Sequence, residues 1–322
     1  VATSGSTDFS IDRDSIIEEA LQIVGVLGVG EAPTAAQLTD YSRTLNLIVK
    51  SLMAEGLLLW TIDRLVIFPV PNQEYYTIGS GGDRVCKYTD YVKTEVATAA
   101  ASGATTLVVD SIANMTASDV IGVEQDDGTL HWTTISGTPS AATITLAVAL
   151  TAAVSVDRHV YTYTTAITGK PLRIEEGFIR QDGDSDVPIE FISRNDYMVL
   201  ANKKNAGRIN QAYFNPRRDS SEIWVWEVPD GNYLKEVLII TAQSLIEDFD
   251  IATDTLDFPI EWARFLVWEL SADLGFHTGV ESARLKMIQN KAATLKEDVS
   301  SFDVEMESMF MIPDFNGSAY RR

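Results

Sequence analysis

"EGLLLWTIDRLVIFPVPNQEYYTIG", residues 55–79, is the stretch on which the fold turns. A helical pattern stops at Glu55 and Gly56. Three leucines and Trp60 follow, and then two runs rich in β-branched and aromatic residues, "LVIFPV" and "EYYTI". The period of the apolar residues changes here from helical to strand-like, which predicts a β-hairpin closed by "PNQ". Pro69 and Pro71 lack amide protons and keep part of this segment out of a central strand. So large an apolar block is needed either by a single globular core or by a ring whose subunits share their core.

Upstream, Ile16, Ala20, Ile23, Val24 and Leu27 recur at helical spacing with Asp12 placed to cap, and "GVLGVG" ends that helix. Thr34 with Gln37 is a capping-box pair. It opens a second helix striped by Leu38, Tyr41, Leu45, Ile48 and Leu52. The short Gly/Pro connection implies an antiparallel helical hairpin.

From about residue 95 the composition shifts to Ala, Thr, Ser and Val, and it reverts near 168. About five short strands are expected there, including a hairpin turning at Asp127 and Gly128. Residues 95–168 therefore read as an inserted small all-β domain. Further strands follow from 170, with a short helix over 195–202. A helix then begins near Pro259, and a last one carries Leu285, Ile288, Ala292, Leu295, Val299, Phe302, Met306 and Met309 in unbroken heptad spacing. That seam packs on the preceding helix, or also on a neighbouring subunit. The expected fold is α+β: a helical bundle of two N-terminal and two long C-terminal helices with a β-hairpin and sheet region, over 1–94 and 169–310, plus the insert. Residues 311–322, within the ending "MIPDFNGSAYRR", have no period but several apolar and aromatic residues. They either fray or dock into a partner.

The chain carries 322 residues and a formal net charge of −21, which disfavours groove-binding readers of DNA. One cysteine, Cys86, excludes an intrachain disulfide and a Cys-based zinc site. The N-terminal "VATSGSTDFSIDRDS" has neither a basic region nor an apolar core, so no signal peptide is read there. No apolar run is long enough to span a bilayer. Nucleotide-loop, zincin and nucleophile-elbow motifs are missing. The histidines, His131, His159 and His277, lack partners at catalytic or metal-ligand spacing and are assigned surface or packing roles. "DGDSD", 182–186, has the carboxylate spacing of a calcium loop without its downstream glutamate and reads as a solvated turn. No catalytic residue, cofactor or metal is expected, and the chain is not read as an enzyme.

The order "VGVLGVGEAP", an aliphatic second helix, "AEGLLLWT" and "YYTIG" resembles the N-terminal signature of phage head-to-tail connector proteins. These are the tail accessory, or packaged-DNA-stabilisation, adaptors of short-tailed phages. The resemblance covers 1–94 and, more loosely, 170–322; the β insert departs from the shortest members. It implies a homo-oligomeric ring, usually of twelve copies, docked beneath the portal protein in the virion after synthesis in the host cytoplasm. The ring would extend the DNA channel, help retain packaged double-stranded DNA without binding it specifically, and receive a tail or nozzle protein; no membrane is involved. By the same resemblance the C-terminal tail would reach into portal clefts, with Phe310, Met311, Ile312, Phe315 and Tyr320 as anchors beside Pro313, and Arg321 and Arg322 paired with acidic portal residues. Leu57, Leu58, Leu59 and Trp60, together with Leu285, Ile288, Leu295, Val299 and Phe302, would serve packing within and between subunits. The alternatives are a tail-associated cell-wall hydrolase and a non-viral β-rich surface or adhesion module.

Overall fold

A computed structural model of the protein describes residues 5, 9–55 and 59–302. In chain order the elements are α1 (Arg13–Val24), α2 (Ala35–Glu55), β1 (Ile62–Ile67), β2 (Tyr75–Gly79) and β3 (Val85–Lys87). Then come β4 (Val92–Thr98), β5 (Thr106–Val109), β6 (Val120–Glu124), β7 (Leu130–Thr134), β8 (Thr143–Thr145) and β9 (His159–Tyr163). They are followed by β10 (Arg173–Arg180), β11 (Asp186–Pro188), β12 (Glu190–Phe191), α3 (Arg194–Val199), β13 (Gln211–Pro216), β14 (Ser220–Trp226) and β15 (Val237–Gln243). Two helices, α4 (Ala263–His277) and α5 (Ser282–Phe302), complete the described chain. Contacts divide the described residues into a helical unit, up to 59 together with 246 onward, and a β unit, 60–245.

The expected helical bundle with two long C-terminal helices is overturned. Among the described residues the chain is mostly β-sheet, in three sheets, with five α-helices. The reason lies in where apolar residues find cover. A five-stranded antiparallel sheet runs β11-β10-β15-β1-β3, and a four-stranded one β12-β13-β14-β2. Leu65, Ile67, Leu238, Ile240 and Ala242 of the first sheet form one core with Tyr76, Ile78, Ala212, Ile223 and Val225 of the second. The alternate residues Val66, Val237 and Ile239 point to the opposite face, where they pack with Phe68, Cys86, Tyr161 and Tyr163. A strand covered on both faces reads as a continuous apolar run, and "LVI" in β1 and "VLII" in β15 do. Burial also pushes the Cys86 thiol well above its ordinary pKa, so it packs as a small apolar group.

The predicted β1–β2 hairpin does not form. β1 pairs with β15 and β3, while β2 pairs with β14 in the other sheet. Between them the two prolines withhold donors from a ladder, and the amide of Val70, between those prolines, donates to the Tyr76 hydroxyl at 3.0 Å. Asn72 takes a positive φ of 63° and donates its backbone N–H to Pro229 O at 2.9 Å, away from a closed hairpin turn. The segment is a corner that carries the chain from one layer to the next.

Strands β4 to β9 make a third sheet, ordered β7-β6-β9-β4-β5-β8, that curls into a half-barrel. A bridge between Ile135 and Leu146 brings its two edge strands together around Val96, Leu107, Ile121, Val123, Ile144 and Val160. The Asp127–Gly128 turn joins β6 to β7, with Gly128 at φ 78°. Phe68 meets Trp132 edge-on at 4.9 Å, and the Tyr161 hydroxyl donates to Leu234 O at 3.0 Å. These contacts fasten the half-barrel to the five-stranded sheet.

Candidate functional site

The helical unit is built around α4, which is buried on most sides: Phe265, Leu266, Val267, Leu270 and Leu274 are enclosed by α1, α2 and α5. Asp12 caps α1 by accepting from Ser15 N at 2.8 Å. Gly25 ends it in the left-handed conformation at φ 89°. The Thr34–Gln37 capping box forms with reciprocal contacts of 2.9 and 3.3 Å and starts α2. From α2, Asn46 exchanges two hydrogen bonds with the backbone of Phe249, and Lys50 donates to Ile246 O. The 246–257 segment is thereby held along the helix.

Arg284 of α5 donates to Ile23 O at 2.6 Å, placing a cation at the negative end of α1. A groove of about 490 Å³ opens beside it, lined by Ile23, Trp268, Arg284, Met287, Ile288 and Lys291. Apolar side chains remain on the surface of this unit: Leu47 and Met287 are each 66% exposed, and Phe276 is 65% exposed. Of these, Met287 shares the groove with Arg284 and Lys291.

The seam residues of α5 face inward. Ile288, Ala292 and Leu295 are buried, and α5 packs on α4 of its own chain. Leu285 lies over Gly275, where a Cβ would come within 2.6 Å of Leu285 Cδ1. Val299 is half-buried; Phe302 ends the helix, and its side chain is outside the described set. The side of α5 that remains open carries Met287, one residue off the seam. Trp60 is half-buried, and Leu59 begins a 3-10 turn, its side chain likewise not described. Leu57, Leu58 and the tail residues Phe310, Met311, Ile312, Pro313, Phe315, Tyr320, Arg321 and Arg322 lie outside the described residues. The groove was not legible in the sequence, because its lining comes from α1, α4 and α5 and only their packing assembles it.

Of the histidines, His131 is half-buried on β7 and faces Val148 O at 3.4 Å, and His277 is exposed at the end of α4. His159, in contrast, is buried among carboxylates. Among the described residues no helix is long and apolar enough to cross a membrane. No protein-family model matches the chain, and no curated protein matches it significantly.

Proposed function

We propose that the chain is a structural head-to-tail adaptor of a tailed phage. It assembles into a ring beneath the portal protein, extends the DNA channel and offers its far side to a tail component. The observation that carries this reading is the helical unit. Its N-terminal hairpin and C-terminal helices, distant in sequence, form one body that leaves Leu47, Phe276 and Met287 uncovered. A ring closed by a head-to-tail interface needs two different apolar patches on each subunit. Met287 with the apolar groove beside it supplies one, and Leu47, exposed among Ser42, Arg43 and Lys50 of α2, is the apolar contact assigned to the other. The net charge of −21 per subunit, repeated around a ring, makes a wall along which duplex DNA slides without trapping contacts.

The test is the mass of the purified chain alone and after mixing with the portal protein of the same phage. A portal-bound ring is expected, and a chain lacking 311–322 should keep its fold and lose that complex. A chain that stays monomeric in the presence of portal would overturn the reading.

A further inference from the structure

The β unit carries a cluster of ionisable side chains that the adaptor reading does not use. His159 opens β9, and its neighbours across the sheet are Glu95 of β4, its register partner, and Glu124 of β6. Side chains opposed in this way share one face of a sheet. Onto that face comes Asp182, from the turn between β10 and β11 of the five-stranded sheet. His159 is only 4% exposed.

The two ring nitrogens of His159 have different surroundings. Nδ1 lies 3.1 Å from Glu124 Oε2, and that carboxylate is also held by Arg158 at 2.6 Å and by the backbone N–H of His159 at 3.2 Å. A carboxylate held at Nδ1 orients the ring with Nε2 toward Glu95 and Asp182, as the outer hydrogen bond of a metal-bound histidine does. Nε2 is buried, with no well-aligned hydrogen bond among the described residues. Asp182 Oδ1 lies 2.5 Å from it, off the hydrogen-bond direction, and Glu95 Oε1 at 3.7 Å is beyond hydrogen-bond reach. The three ligand atoms lie within 4.8 Å of one another.

We propose that Glu95, His159 and Asp182 bind a divalent transition-metal ion of the Zn²⁺ class, with Glu124 as the positioning residue for His159. Ligand bonds of about 2.0–2.2 Å in a tetrahedral site set neighbouring ligand atoms about 3.4 Å apart, off the axis of the imidazole lone pair. Asp182 therefore moves outward by about 1 Å and Glu95 inward by a few tenths to accept the ion. One nitrogen and two carboxylates suit Zn²⁺, Co²⁺ or Ni²⁺, whereas Ca²⁺ and Mg²⁺ favour all-oxygen shells. The side chains of Glu95 and Asp182 are 40% and 42% exposed, which gives the ion access and leaves water the remaining position. Lys235 sits 3.2 Å from Asp182 Oδ2, and Lys93 lies 3.8 Å from Asp182 Oδ1. Both amines compete with the ion and set its affinity below that of a site free of cations. The ion joins the half-barrel to the β10–β11 turn, a staple independent of whether the chain is an adaptor.

The experiment uses the full chain, stripped with a chelator and dialysed. Titration calorimetry with Zn²⁺ at neutral pH should give one ion per chain, and Zn²⁺ but not Ca²⁺ or Mg²⁺ should raise the melting temperature. Asp182→Asn, at an open turn, should fold normally and lose the Zn²⁺ response, and Glu124→Gln should weaken binding by about 10–100-fold. Co²⁺ should give a ligand-field absorption band in the wild type that Asp182→Asn lacks. No Zn²⁺ binding by the wild type, undiminished binding by Asp182→Asn, or an equal response to Ca²⁺ would each overturn the proposal.

Discussion

Gly122 on β6 and Trp132 on β7 are register partners, and the indole fills the place of a side chain at 122: a Cβ there would come within 2.7 Å of ring atoms Cη2 and Cζ3. The same indole packs edge-on against Phe68. Gly122 is thus required by space, so that Trp132 can lie flat and reach the five-stranded sheet. Gly122→Val is expected to cost about 1–3 kcal/mol by overpacking. Thermal unfolding should show a lower midpoint, and replacing Trp132 with Leu in the same chain should recover part of the loss. An unchanged midpoint for Gly122→Val would contradict this account.

Arg208 grips Glu236 through Nε, 3.0 Å from both carboxylate oxygens, and Nη2, 2.6 Å from Oε1, while Glu236 is 3% exposed. Arg208→Met strands a buried carboxylate. The cost of such a loss reaches about 3–5 kcal/mol when both partners are buried. With the Arg208 side chain 42% exposed, water screens part of it, and about 1–3 kcal/mol is expected. Urea denaturation should show this loss, with partial recovery when Glu236→Gln is added.

Asp12 stabilises α1 as an ionised cap, and its hydrogen bond from Ser15 holds the carboxyl below the ordinary carboxylate range. A lowered folded pKa means that the contribution is complete above the unfolded value of about 3.9 and is lost as pH falls through the folded one. Asp12→Ala should cost about 1 kcal/mol at neutral pH, and Asp12→Asn much less. The gap between wild type and Asp12→Ala should close in acid; a gap that widened there would show the sign to be wrong.

Leu47→Asp and Met287→Glu alter exposed helix positions and should change melting by no more than about 0.5 kcal/mol. Under the adaptor proposal they nevertheless prevent ring assembly on portal, as mass measurements would reveal. Assembly by the double variant would remove these surfaces from the interface.

Purified chain should not retard duplex DNA in a gel at moderate salt, because a net charge of −21 supplies no counterion release. Tight, salt-sensitive retardation would contradict the sliding-wall proposal.

Local chemistry was legible wherever one short segment contains both partners of an interaction. The Asp12 cap, the Thr34–Gln37 box and the Asp127–Gly128 turn each depend on residues within a few positions, and each occurs as its spacing implied. The α2 stripe was readable for the same reason, since a helix repeats its face every few residues; in α1 only Ile16, Ala20 and Val24 of the expected stripe are buried, with Ile17 and Leu21 beside them, and Leu27 falls beyond the helix end. Fold class was not legible in this way. A run such as "LVI" states that residues are buried, but not how many layers bury them.

What the sequence by itself determined is therefore which segments become helices, turns and apolar strands, because those choices are settled by neighbours along the chain. Only the tertiary structure decided that β1 and β2 join different sheets, that β1 and β15 are covered on both faces, and that Asp182 comes to lie against His159. Those relationships link positions from about ten to well over a hundred residues apart, and it is sheet packing, which no local period encodes, that brings them together.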